Sequence, residues 1–371
     1  MGIDGTILKL PQDASIPLMV SIMSMERFRT WVENDDTDAL SVASSPMSSR
    51  RRFLRRCGWV AFSGAAMLLC AGCWEKEGEI PPIRIPDDQP TIPDAVRAAL
   101  EIPEIERPTI LLLPGTYTLD ETLVISESLF LRGTNPDRCI IECDQSVVLH
   151  FDTTARAGIE QLTIRSLSRR PPIDNQPDQA PEGCIMVTRG TPRVHRCVIS
   201  SGMGNGITLY GVGTNIGCNQ CRIENVGSKG IFIAEYATGM FSIVEVSGSA
   251  YAGILTTTNA HPQFDYCVIR HGRGNGIDVR SEARGVFSRC RIDANGYSGV
   301  EISDRGNPTI DSSEITNNGQ WGVHGSNLAR GVFNQCVILD NAHGQTSVDI
   351  SSAVGIHFQD CITDPSQWKK K

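Results

Sequence analysis

The chain has 371 residues, 40 % hydrophobic, 20 % charged and 6 % aromatic, with a net charge of −8. That composition excludes a disordered chain. It also excludes a nucleic-acid partner, because phosphate binding needs a basic face.

The first 46 residues are expected to be either a start assigned too early, with translation beginning at Met47, or a disordered extension. Residues 47–73 read MSSRRRFLRRCGWVAFSGAAMLLCAGC. Within them, Ser49-Arg50-Arg51-Arg52-Phe53-Leu54-Arg55 resembles the twin-arginine export motif, with Arg55 where lysine is usual. The apolar run from Trp59 to Cys70 is short for a membrane span and fits the core of a signal peptide. Cys70-Ala71-Gly72-Cys73 resembles a lipobox, with Cys70 where leucine is usual. The resemblance implies a lipid on Cys73 and an exported protein held to a membrane of the cell envelope, on the periplasmic or surface side. An uncleaved N-terminal anchor is the competing reading. Residues 74–90, rich in Pro, Glu and Asp, read as a solvated tether.

A short helix follows through Ala95 to Leu100, with Thr91 as its cap and Asp94 completing a capping box. Thr109 to Leu113 reads as a buried strand closed by the turn at Pro114-Gly115. Leu129–Gly133 and Cys139–Ile141 are further short strands. The segment from Ser166 to Glu182, with Arg169-Arg170-Pro171-Pro172, reads as an insertion between coils: a wall beside a cleft, or a floppy loop.

From there a repeat is explicit. Gly183, Gly206, Gly230, Gly253, Gly276, Gly299 and Gly322 follow one another at steps of 23 or 24 residues. No segment between them is long enough for a helix, and each unit reads as short strands bounded by Gly, Asn, Asp or Ser. Short strands at a fixed period mean a β-solenoid. One residue after each glycine stand Cys184, Ile207, Ile231, Ile254, Ile277, Val300 and Val323. A second column holds Cys197, Cys221, Val244, Cys267, Cys290, Ser313 and Cys336, and a third, two residues later, runs from Ile199 to Ile338. Columns apolar at every rung face the interior, where small cysteines suit a narrow core. Of the 13 cysteines, the ten in the folded part follow this repeat and are expected to be free thiols. Cys218-x-x-Cys221 offers a redox or zinc pair, but both residues fall in core slots and no second such pair completes a zinc site.

The Gly-(Ile/Val)-x-(Ile/Val) and Phe-x-x-Cys-x-Ile units resemble the pectin-lyase-like right-handed parallel β-helix proteins. The leading Thr-Ile-x-x-Ala, Pro-Gly-Thr-Tyr and Leu-Arg-Gly stretches resemble the cap and first coils of that group. The resemblance implies an all-β, single-stranded right-handed parallel β-helix over residues 91–363, with about 8–11 coils, a short N-terminal capping helix and a disordered tail at 364–371. It leaves function open, since that group holds lyases, hydrolases, esterases, epimerases and adhesins.

Strand alternation places the residue two after each glycine outward, giving Thr208, Phe232, Leu255, Asp278, Glu301 and His324, with Asp349 expected next. Arg280 stands beside Asp278 on the same face. Two carboxylates on neighbouring rungs raise one pKa and leave one acid and one base, which suits sugar chemistry. Tyr210 and Phe232 would stack on sugar rings. Asp278 and Glu301 could instead bind Ca²⁺, though no cofactor is required. Gly276-Ile277-Asp278 and Val323-His324-Gly325 faintly resemble two polygalacturonase motifs, but the paired aspartates and the Arg-Ile-Lys of that family are absent.

Two functions stand. One is a monomeric, lipid-anchored protein that binds or cleaves an extracellular polysaccharide, as a lyase or hydrolase if it is an enzyme. The other is a non-catalytic solenoid for adhesion, envelope structure or protein binding.

Overall fold

A computed structural model of the chain describes residues 80–169, 182–348 and 355–364. The export motif, Cys73, residues 170–181 of the insertion, Asp349 and most of the tail lie outside the described residues.

Each coil contributes up to three short strands separated by corners, and strands from successive coils pair in parallel. The result is three sheets running the length of the molecule, one of twelve strands and two of ten. The strand Ile277–Val279 belongs to one of the ten-stranded sheets, called here the site sheet; the twelve-stranded one is the broad sheet.

One end is closed by the helix Ile92–Leu100, which buries Ile92, Ala95 and Ala99. Thr91 caps it: its hydroxyl accepts from the Asp94 amide at 3.2 Å and donates to the Asp94 carboxylate at 2.6 Å. The segment expected to be a tether through Pro90 is not one throughout. Ile83–Ile85 forms a strand paired with Ile110–Leu112, and Ile85 is fully buried. The Ile-Arg-Ile alternation puts two apolar side chains on one face, which is reason enough to join the sheet.

The interior is built from the predicted columns. Ile207, Ile231, Ile254, Ile277, Val300 and Val323 are fully buried and in register. The glycine slot beside them is a steric requirement. A Cβ at Gly276 would strike Ile292 and stand 2.6 Å from the Gly299 carbonyl of the next coil. The first coil departs from the predicted register. Gly183 pairs with Asn205 and Ile185 with Ile207, so Cys184 occupies the glycine slot and Ile185 takes the isoleucine rung. That coil is one residue shorter than its glycine spacing implies.

Every described cysteine is a free thiol, and all but Cys361 are buried. Those in the cysteine column bond the carbonyl two residues earlier, as Cys221 does with Asn219 at 3.2 Å and Cys336 with Asn334 at 3.2 Å. Next to them the rings of Phe241, Phe264 and Phe287 stack with centroids 4.5 and 5.0 Å apart. One corner is held by buried Asn295, Asn318 and Asn341. Asn318 Oδ1 accepts from the Asn295 amide, and Asn341 Oδ1 from the Asn318 amide, each at 3.0 Å. Their amide nitrogens bond carbonyls of the preceding coil, so these buried polar groups are satisfied.

Candidate active site

The site sheet carries Thr208, Phe232, Leu255, Asp278, Glu301 and His324 in register on its outer face. The next rung is Ser347, not Asp349, because His324 pairs with Ser347. Ile277 and Val279 are buried on either side of Asp278, and Val300 and Ile302 on either side of Glu301. Those anchors fix both carboxylates outward, one rung or about 4.8 Å apart.

The two carboxylates sit in different surroundings. His324 Nδ1 donates to Glu301 Oε1 at 2.7 Å. Burial raises the Glu301 pKa, while His324 and Ser298 hold it back. Asp278 has no such support: its Oδ1 is buried without a hydrogen-bond partner. Burial pushes its pKa up to about 6, against the pull of Arg280 and with the repulsion of Glu301 and Asp304 adding to it. One carboxyl thus keeps its proton up to about pH 6, beside one held by an imidazole. Arg280 is exposed on the same flank, next to the ion pair of Arg305 with Glu282 at 3.0 Å.

The predicted aromatic platform is only half there. Phe232 is 7 % exposed, packed with Ala234, Ala252 and Leu255 in a small cluster outside the main core. Its ring face is taken by protein, and Tyr210 lies half-buried at the cluster's edge. Other aromatics stand on the opposite flank. Trp321 occupies the slot just before a repeat glycine, which in earlier coils holds Lys229, Ala252, Asn275 and Ser298. It meets His343 edge-on at 6.0 Å. Tyr251 and Tyr297 project from the same corner, and Lys229 Nζ lies 5.6 Å from the Tyr251 ring centre. The sequence conceals these residues because their slots change type from coil to coil. Their position relative to the glycines would have shown them.

Among the described residues, no three His, Cys, Asp or Glu side chains converge where a metal ion could be held. Cys218 and Cys221 are both 1 % exposed in the interior, away from this face.

A family model described as the right handed beta helix region matches residues 205–363. Among solved structures, the A-module of the Azotobacter vinelandii mannuronan C-5 epimerase AlgE6 matches with a TM-score of 0.52 at 17 % identity, over 72 % of this chain and 80 % of that one. The catalytic unit of a thermostable GH87 alpha-1,3-glucanase from Streptomyces thermodiastaticus gives 0.50 at 13 % identity, over 76 % and 68 %. Pectate lyase Pel9A gives 0.51 at 13 % identity, over 70 % of each chain. At these identities the likeness is one of fold: a right-handed parallel β-helix.

Proposed function

We propose that this right-handed β-helix protein binds and processes a polysaccharide along the Asp278–Glu301–His324 strip of the site sheet. The observation that carries the reading is the asymmetry of the two carboxylates. Asp278 has a buried, unpartnered oxygen, one rung from a Glu301 held by His324. The names of the matched structures, a mannuronan epimerase, an alpha-1,3-glucanase and a pectate lyase, support the substrate class.

In this reading protonated Asp278 gives its proton to the glycosidic oxygen as the bond to the leaving sugar breaks. Glu301, oriented by His324, acts on the other side of the reaction. In a lyase it takes the ring proton beside a carboxylate, and the electron pair forms a carbon–carbon double bond as the leaving group departs. In a hydrolase it attacks the anomeric carbon, and water, deprotonated by Asp278, then splits the glycosyl ester and frees Glu301; or it activates water there directly. Arg280 binds an anionic substituent. Tyr210, Tyr251, Tyr297 and Trp321 offer faces to sugar rings.

The test is a panel of polysaccharides assayed for new reducing ends and for ultraviolet-absorbing unsaturated ends. The parent protein is expected to release one of the two, and Asp278→Asn and Glu301→Gln neither. Equal release by parent and variants would sink the assignment. One observation favours a second, binding-only reading: the 2.7 Å His324–Glu301 contact is also how a ladder settles its own charges. Retention of one polymer on the protein with no product from any of the panel would establish that reading.

We propose further that residues 47–73 export the protein and that Cys73 carries lipid, on the strength of the twin-arginine and lipobox resemblances. Metabolic labelling with a fatty-acid analogue is expected to mark the parent and leave Cys73→Ser unmarked. Equal labelling of both would rule the lipid site out.

A further inference from the structure

Away from the strip, a cleft of about 450 Å³ opens at the corner where chain leaving the site sheet enters the broad sheet. Phe130, Arg156, Gly190, Arg193 and Gly213 line it. Its geometry follows from register. Phe130 pairs with Gly158, and Gly158 with Arg193, so their backbones stand two rungs, or about 10 Å, apart with a glycine between them. The missing side chain leaves a notch one rung wide. The notch is enforced, since a Cβ at Gly158 would stand 2.5 Å from the Arg193 carbonyl, and one at Gly190 would collide with the Thr153 carbonyl.

Two arginines, Arg156 and Arg193, share this cleft. Arg132, Arg165 and Arg270 each face a carboxylate of a neighbouring coil. Asp152, at the edge of the cleft, is already paired with Arg189 at 3.1 Å. Arg156 and Arg193 are exposed and meet no carboxylate among the described residues. Two guanidinia lining one cleft match a sugar that carries an anionic group, because their forks take the anion two-pronged. The cleft lies on the Arg280 side of the strip, four rungs away along the broad sheet, or about 19 Å.

We propose that this corner is a distal subsite for an anionic sugar unit of a polymer whose chain runs along the axis to Asp278. The inference rests on the polysaccharide reading of the strip, and it adds the substrate's charge and the direction in which the chain lies. Its chemistry accepts a uronate carboxylate or a sulfate ester.

The experiment compares the parent, Arg156→Gln/Arg193→Gln and Asp278→Asn in calorimetric binding to long oligogalacturonate, a sulfated glucan oligomer and a neutral mannan oligomer of equal length. The parent is expected to bind one acidic oligomer at least about tenfold more tightly than the neutral one. Whichever acidic oligomer wins identifies the anion. The arginine pair variant should lose that advantage with an unchanged melting temperature, while Asp278→Asn keeps it. Equal binding by the arginine variant and the parent would overturn the subsite and leave the strip untouched, whereas parity between acidic and neutral oligomers would overturn the subsite and the anion-binding role of Arg280 together. Turnover separates the two ideas further. For long chains the arginine variant should show a higher KM at unchanged kcat, and for trisaccharides no change. A fall in kcat on trisaccharides would mean that the arginines act on the strip itself and that no separate subsite exists.

Discussion

Asp278→Asn is expected to slow the enzyme and stabilise the protein at once. Without the carboxylic acid, turnover should fall by about 10²- to 10⁴-fold, the usual worth of a positioned acid. The stability change follows from linkage. The pKa of Asp278 rises from 3.8 to about 6 on folding. Below pH 3.8 the carboxyl is protonated in both states and burial costs nothing extra. Between 3.8 and about 6 the unfolded chain sheds the proton while the native one keeps it, so native stability falls as pH rises. Above pH 6 the full cost of an ionised, buried carboxylate is present, roughly 3 kcal/mol. Asparagine removes that cost. Denaturant melts should therefore show the variant roughly 2–3 kcal/mol more stable than the parent at pH 8 and nearly equal to it at pH 3.5. In the parent, activity should decline above pH 6 as the acid ionises. It should also decline at low pH as Glu301 takes up a proton. A stability difference that did not change with pH would show that Asp278 ionises freely, and its role as the acid would go with it.

Phe264→Ala is the other large effect. Its ring is 1 % exposed between Phe241 and Phe287 and nearly parallel to both, at 7° and 4°. Truncation removes the buried ring and leaves a cavity that two flanking rings cannot close without leaving their own coils. A loss of about 3–5 kcal/mol is expected, with about 0.5–1 kcal/mol more from each broken stack. A solenoid is held by nearest-neighbour interfaces, so the damage should be local. Hydrogen exchange should show protection falling across the coils that contain Phe241, Phe264 and Phe287, while the strands Ile110–Leu112 and Cys139–Cys143 keep theirs. A uniform fall along the chain would show that the coils unfold as one unit.

Much of this architecture could be read from the chain, because a fixed period converts sequence distance into spatial stacking. Gly253, Gly276, Gly299 and Gly322 predicted the rungs, and the rungs place Asp278, Glu301 and His324 next to one another. The reading went wrong where the period changes. Cys184 stands one slot from its expected rung, since the step there is shorter than the glycine spacing. Beyond His324 the miss was in the count and not in the period: the rung is Ser347, 23 residues on, and Asp349 lies two residues past it. Burial on the outer face was also out of reach. Phe232 points away from the core as its parity demands, yet Ala252 and Tyr210 cover it from neighbouring coils. No pattern within one coil announces such a cover. The arginine cleft was hidden for the same reason: Phe130, Arg156 and Arg193 are far apart in sequence, and what joins them is a glycine between two rungs.

The glycine slot has a further consequence. From Gly206 to Gly322 each slot fits the carbonyl of the following coil, so the junctions between these coils share one shape. A tandem duplication of residues 253–275, 23 residues, would insert one whole turn. It would carry everything beyond it one screw step along the axis while both new junctions matched the old. An insertion of one residue within a core strand would instead turn core residues out to solvent, so other lengths are confined to the corners. Along its axis the molecule can therefore be lengthened by inheritance only in whole turns. The stretch between Arg193 and Asp278 could grow that way, lengthening the reach along a bound chain while leaving the acid, its partner and their histidine as they are.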